Sequence, residues 1–215
     1  MVVVALFLTA FVKVVGIKYG KPIVGWRLYV IQAAYSFTCR YAPLMSGYWA
    51  KVIESDVDYS EYLGPDYKKK QVLPKKTSMI VANHTSWLDS PVLITSYYPG
   101  FTTSAEAGEV PVLNTLINTL QSVYVQRSAA ADTRQSQLDS IIERQKLVEQ
   151  DPRFNQLLIF PEGTQSNGAY LGNFKKGGFS SLLAVQPCVL KYQWDVVCPS
   201  WEGIPFVQHM IVMCC

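Results

Sequence analysis

Residues 77–89 read TSMIVANHTSWLD, and this stretch decides how the chain folds. Its first six residues are a short, compact apolar run that gives way to polar ones, the pattern of a buried strand. Working outward, β-rich runs of the same kind recur at residues 101–104, 122–126 (SVYVQ), 156–160 (QLLIF) and 188–192 (CVLKY). Helical patterns fill the intervals at residues 86–97, 110–120, 133–150 and 174–185. The third of these is amphipathic, with Leu138, Ile141, Ile142 and Val148 spaced for one face and Arg134, Asp139, Glu143 and Lys146 for the other. Strand alternating with helix predicts an α/β fold, a largely parallel central sheet flanked by helices. In such sheets ligands gather beyond the carboxyl ends of the strands, where the loops converge.

Composition narrows the classes further. At 215 residues the chain suits one core, and 49% apolar with 16% charged residues excludes a disordered chain and points toward lipid. Five cysteines without a CxxC pair are no disulfide scaffold, and two histidines do not complete a zinc site with them, so the cysteines read as reduced and structural. A net charge of +3 is too slight for a nucleic-acid binder.

Residues 1–12 are uncharged and end at Lys13; as a helix they reach roughly 18 Å into a hydrocarbon core about 30 Å thick. The apolar stretch 28–39 lies between Arg27 and Arg40 and is equally short. Neither spans a bilayer. A secretory signal fits poorly, since no basic region precedes the apolar run. Trp26, Tyr29, Tyr35, Phe37, Tyr41, Tyr48 and Trp49 mixed with Lys18, Lys21, Arg27 and Arg40 match an interfacial belt, and match an amphipathic helix packed on a soluble core about as well. The expectation is a membrane-associated helical segment over 1–55, a linker and basic loop over 56–76 with five lysines in residues 68–76, and a catalytic domain over 77–215.

The chemistry-bearing residues follow the predicted strands. His84 stands five residues before Asp89, close enough for the carboxylate to fold back onto one imidazole nitrogen and leave the other free to take a proton. The competing reading has Ser86 capping a helix while His84 and Asp89 only satisfy polar groups. Pro161 and Gly163 force a sharp turn after the fourth strand, aiming Glu162 and the amides of Gly163 and Thr164 at the same rim. The third strand delivers Arg127, whose guanidinium suits a phosphate. Each feature alone is weak; a parallel sheet brings all of them to one edge.

In order and spacing NHTSWLD at 83–89, VYVQR at 123–127, FPEGT at 160–164 and QPCVLKY at 186–192 resemble the four motif blocks of the glycerolipid acyltransferases, over roughly residues 72–202. That family includes lysophosphatidic acid and lysophospholipid acyltransferases. The run FPEGTQSNGAYLGNFKKGGF, VYVQR, and VLKY followed by Trp201 look like the branch that acylates lysophosphatidylcholine and lysophosphatidylethanolamine. The resemblance implies a glycerol-3-phosphate-acyltransferase-like fold and acyl transfer from acyl-CoA to the free hydroxyl of a lysophospholipid. It implies His84 as general base with Asp89 orienting it, and no covalent acyl-enzyme. Arg127, Glu162 and Gly163 are assigned by it to acceptor binding, grouped here with Thr164 and Asn83; Pro187 and Val189 are assigned to the acyl pocket. Acyl-CoA enters as co-substrate, with no cofactor, no metal and no nucleic acid; the site is a membrane, that of the endoplasmic reticulum. Arg127 suits the acceptor phosphate, whereas the charge of Glu162 does not, so Glu162 orders Arg127 or accepts from a hydroxyl. Lys175 and Lys176 are candidates to attract coenzyme A phosphates, against the plainer reading of solvated lysines.

The chain departs from that branch by stopping at Cys215 inside PFVQHMIVMCC, where members usually continue, some with EF-hands; no EF-hand loop occurs, so the chain reads as a truncated or divergent copy. Alternatives kept open are a catalytically inactive membrane-surface lipid-binding homologue, and acylation of lysophosphatidic acid or glycerol 3-phosphate instead. A metal-dependent hydrolase built on His84, Asp89 and Glu162 is disfavoured because His209 is far away in sequence.

Overall fold

A computed structural model describes residues 2–54, 57–67, 76–126, 131–195, 197–200 and 205–214. Five strands form one sheet: β1 (Met79–Ala82), β2 (Gly100–Ser104), β3 (Val123–Val125), β4 (Leu157–Ile159) and β5 (Val185–Cys188). Their order is β3-β2-β4-β1-β5, and every neighbouring pair is parallel. The helices are α1 (Val2–Val15), α2 (Trp26–Met45), α3 (Ser60–Leu63), α4 (Asp89–Tyr97), α5 (Pro111–Thr119), α6 (Ala131–Gln150) and α7 (Phe206–Cys214). The expected alternation therefore holds from β1 to β4.

β1 is buried at all four positions, as a strand flanked on both sides and covered on both faces requires. Its side chains divide by parity. Met79 and Val81 join Leu157 and Ile141 of α6 on one face; Ile80 and Ala82 join Leu158 and Leu93 of α4 on the other. On α6, Ile141 and Val148 are buried while Arg134, Asp139, Glu143 and Lys146 are exposed, as the pattern predicts.

Gly100 shows what close packing demands at the start of β2. A Cβ there would lie 2.8 Å or less from the carbonyl oxygens of Leu120 and Gln121. Both obstacles are backbone and cannot swing away. Gly100→Ala is expected to destabilise the fold by about 1–3 kcal/mol, read as a lower thermal unfolding midpoint.

Two expected elements come out differently. Residues 174–185 are not a helix; only Lys176–Gly178 form a single 3-10 turn. Two consecutive glycines, Gly177 and Gly178, oppose a helix interior. Gly178 is moreover pressed on β4, where a Cβ would meet Ile159 Cγ2 at 2.9 Å. The fifth strand runs Val185–Cys188 rather than over 188–192. Beyond Cys188 the ladder is replaced by a side chain: Asn83 Nδ2 donates to the Leu190 carbonyl (2.9 Å) and its Oδ1 accepts from the Leu190 amide (2.7 Å). Pro187, without an N–H, sits on this edge strand opposite Val81.

The N-terminal helices share a core with the sheet's helical cover. Leu8, Val12 and Val15 of α1 and Ile31 and Tyr35 of α2 pack with Ile94, Tyr98 and Leu120. Tyr35 is fully enclosed, edge-on to Tyr98 at 5.6 Å, with its hydroxyl on the Leu116 carbonyl (3.1 Å). The outer face of the same helices carries Phe7, Val14, Trp26, Tyr29, Phe37 and Met45, all exposed. Among the described residues no helix is long and apolar enough to cross a membrane.

Candidate active site

β1 and β4 are neighbours, so the loops that leave their carboxyl ends meet. Residues 86–88 form a turn, and α4 begins at Asp89, three residues later than the sequence suggests. The cause is visible in the hydrogen bonds. Asp89 Oδ2 folds back to accept the amides of Thr85 (2.7 Å) and Ser86 (2.9 Å), while Ser86 Oγ accepts the Leu88 amide (3.2 Å). A carboxylate in the first helical turn also suits the positive end of the helix dipole.

That fold-back presents the same Oδ2 to His84 Nδ1 at 2.8 Å. An ionised carboxylate only accepts, so Nδ1 carries the proton and Nε2 holds the lone pair. Asp89 is completely buried and has four donors, the fourth being the Tyr192 hydroxyl on Oδ1 at 2.5 Å. A buried carboxyl group needs hydrogen-bond partners, and here both of its oxygens have them. Tyr192 is held protonated, its hydroxyl pushed far up by burial and then by the neighbouring Asp89. The imidazole remains 19% exposed, which gives a substrate access to it.

The second loop holds the histidine from the other side. Phe160 lies flat on the imidazole, ring centroids 4.0 Å apart and 12° from parallel. Glu162 Oε1 accepts the His84 amide (3.0 Å), and Ser166 N–H donates to the His84 carbonyl (2.9 Å). Glu162 Oε2 accepts the Gly172 amide (2.8 Å), so this buried carboxylate ties β1's exit to the loop after β4. Both oxygens of Glu162 are thus on backbone amides rather than on a hydroxyl group. Gly163 adopts φ 72° beneath the Lys175 side chain, a left-handed backbone conformation that strains any residue with a Cβ.

The remaining expected residues scatter. Asn83 is buried and engaged with Leu190, holding β5's continuation against β1. Thr164, Lys175 and Lys176 are exposed beside the turn. Pro187 is exposed on β5, and Val189 is 74% exposed just past it. Arg127 lies outside the described residues, as do lysines 68–70 and 75 and Trp201. β3, which precedes Arg127, stands three strands from β1, about 14 Å at usual strand spacing. Phe160 and Tyr192 went unassigned in the sequence, although both lie inside motif blocks quoted there. Burial raises the Cys188 thiol and pushes Cys39 up to about 12, which activates neither.

Comparison with known proteins gives the family. The chain belongs to the acyltransferase family, whose Acyltransferase model matches residues 64–197. Among curated relatives it is 27% identical to lysophospholipid acyltransferase LPEAT1 of Arabidopsis thaliana, over 89% of this chain and 50% of that one. It is 29% identical to lysophosphatidylcholine acyltransferase 2 of Homo sapiens, over 92% of this chain and 34% of that one. The chain therefore spans half or less of the length of these relatives. The crystal structure of the 1-acyl-sn-glycerophosphate acyltransferase PlsC from Thermotoga maritima aligns with 86% of this chain and 71% of that one, at TM-score 0.43 and 20% identity.

Proposed function

We propose that the chain transfers an acyl group from acyl-CoA to the free hydroxyl of a lysophospholipid at a membrane surface, that of the endoplasmic reticulum. The observation that carries this is the His84–Asp89 pair: a 2.8 Å contact to a buried carboxylate leaves Nε2 as a base on a partly exposed ring. The names of the relatives support the same acceptor class. In the step, the acceptor oxygen bonds the thioester carbonyl carbon while its proton passes to Nε2. The C–S bond then breaks, and the departing thiolate takes that proton back. Base catalysis supplies about 10²–10⁴-fold, and positioning of the two substrates supplies much of the rest.

Arg127 takes the acceptor phosphate, Gly163 and Thr164 border the acceptor, and Pro187 and Val189 border the acyl chain. Lys175 and Lys176 lie where coenzyme A phosphates would be drawn. The exposed apolar face of α1 and α2 rests on the bilayer surface. The metal-hydrolase alternative gains no support, because the oxygens of Asp89 and Glu162 accept N–H and O–H donors.

The test is a panel of lysophospholipids, lysophosphatidic acid and glycerol 3-phosphate, each offered with one labelled acyl-CoA to membranes holding the chain. Labelled diacyl product from lysophosphatidylcholine or lysophosphatidylethanolamine is expected. Product from neither, with the protein folded, overturns the proposal.

Glu162 gives a sharper secondary test. Glu162→Gln turns an amide NH2 toward one of two half-buried N–H donors, at a cost of about 1 kcal/mol or more in thermal unfolding. Because Glu162 acts through the His84 backbone, kcat is expected to fall while the acceptor KM stays put. A raised acceptor KM with unchanged kcat would instead put Glu162 on the acceptor.

A further inference from the structure

The second oxygen of Asp89 has a partner from a distant part of the chain. Tyr192 Oη donates to Asp89 Oδ1 at 2.5 Å, a short, charge-assisted bond between residues 103 positions apart. Tyr192 is itself braced. The Asn83–Leu190 clamp fixes the backbone two residues before it. Tyr48, just after α2, stands edge-on to its ring at 5.7 Å and 87°, and Tyr48 Oη donates to the Val197 carbonyl at 2.8 Å. Both rings pack on the cluster of Ala42, Leu88 and Met213. Contacts from Asn83 and Tyr48 thus brace the segment whose Tyr192 reaches this carboxylate.

We infer that Tyr192 is a positioning residue for the proposed acyl transfer: it pins Oδ1 of Asp89, so that Oδ2 stays aimed at Nδ1 of His84. The inference rests on the function proposed above. A carboxylate turns readily about its last torsion, whose wells are broad, and the three N–H contacts to Oδ2 alone leave Oδ1 a buried acceptor with nothing to hold it. With Tyr192 in place both oxygens are committed. No proton passes through Tyr192 or Asp89; the acceptor's proton goes to Nε2 and on to the thiolate, and Tyr192 keeps its own.

The titratable groups facing this pair are His84 before α4, Tyr48 after α2, and Cys188 on β5, which contacts Tyr97 of α4. Lys191 and Asp195 flank Tyr192 in sequence and are exposed. Removing the hydroxyl leaves more of the carboxylate's charge acting on the imidazole. The pH–rate profile is where that change is read.

The experiment compares wild type and Tyr192→Phe in membranes, measuring kcat, both KM values and the pH–rate profile. A kcat lower by about 10–100-fold is expected, the loss a hydrogen bond to a charged group carries, with unchanged KM values and an acid limb moved to higher pH. Wild-type kcat, or a lost kcat with an unmoved limb, overturns the inference. Should the variant fail to fold, Tyr48→Leu removes the bracing ring and is expected to move the limb the same way by less; an unmoved limb there overturns it equally. A wild type inactive on every acceptor sinks the proposed function and this inference with it. An active wild type beside an unaffected Tyr192→Phe sinks this inference alone.

Discussion

His84→Ala is expected to lower acyl transfer about 10²–10⁴-fold while leaving the fold in place. The activity loss follows from chemistry. A glycerol hydroxyl is a weak nucleophile until its proton has somewhere to go, and Nε2 is the acceptor that the Asp89 contact leaves available. The retained fold follows from geometry. The backbone of His84 is held by Glu162 and Ser166 through its amide and carbonyl, which alanine preserves. What is lost is one partly exposed ring stacked on Phe160. Circular dichroism and thermal unfolding check the fold, and labelled acyl-CoA checks the rate. Turnover at the wild-type level would remove His84 from the role of base.

Asp89→Asn is expected to damage both properties. The carboxylate serves four donors at once, and an amide offers one acceptor oxygen and two further N–H groups. Turned one way, its NH2 faces the Thr85 and Ser86 amides; turned the other, it faces the Tyr192 hydroxyl, which can rotate to accept but then loses its bond to a charged oxygen. A stability loss of about 1–3 kcal/mol follows from replacing bonds to a charged acceptor by neutral ones in a buried site. The buried charge that steadies an imidazolium is also gone, and the imidazole is free to take the tautomer with its proton on Nε2. A rate loss comparable to that of His84→Ala is therefore expected, accompanied by a lower unfolding midpoint that His84→Ala does not share. An Asn variant with normal stability would mean that the charge of Asp89 adds nothing to the hydrogen bonds that start α4.

Much of this was legible in the chain because the signals are local. β1 shows itself as a buried run, since a strand between two neighbours and under two layers has no face to leave polar. The five-residue spacing of His84 and Asp89 predicts their contact, because little more than one turn separates them. Position 162 was legible as a rim residue but not in its role. An exposed carboxylate and one with both oxygens on backbone amides are spelled alike, and only the return of the chain to Gly172 distinguishes them. The span 174–185 looked helical by its apolar spacing, and the contact of Gly178 with Ile159 overrode it. Likewise the fifth strand's true end depends on Asn83, 107 positions away from Leu190.

The amino-acid order by itself determined the parallel architecture, the imidazole–carboxylate pair and the family, because each rests on periodicity or spacing inside short segments and on the order in which those segments follow one another. Only the folded chain decided that Tyr192 and Tyr48 stand behind Asp89, that Glu162 clamps His84, and that α1 and α2 share a core with α4 and α5. Those contacts join segments tens to more than a hundred residues apart, and they depend on strand order and helix packing, which no local pattern encodes.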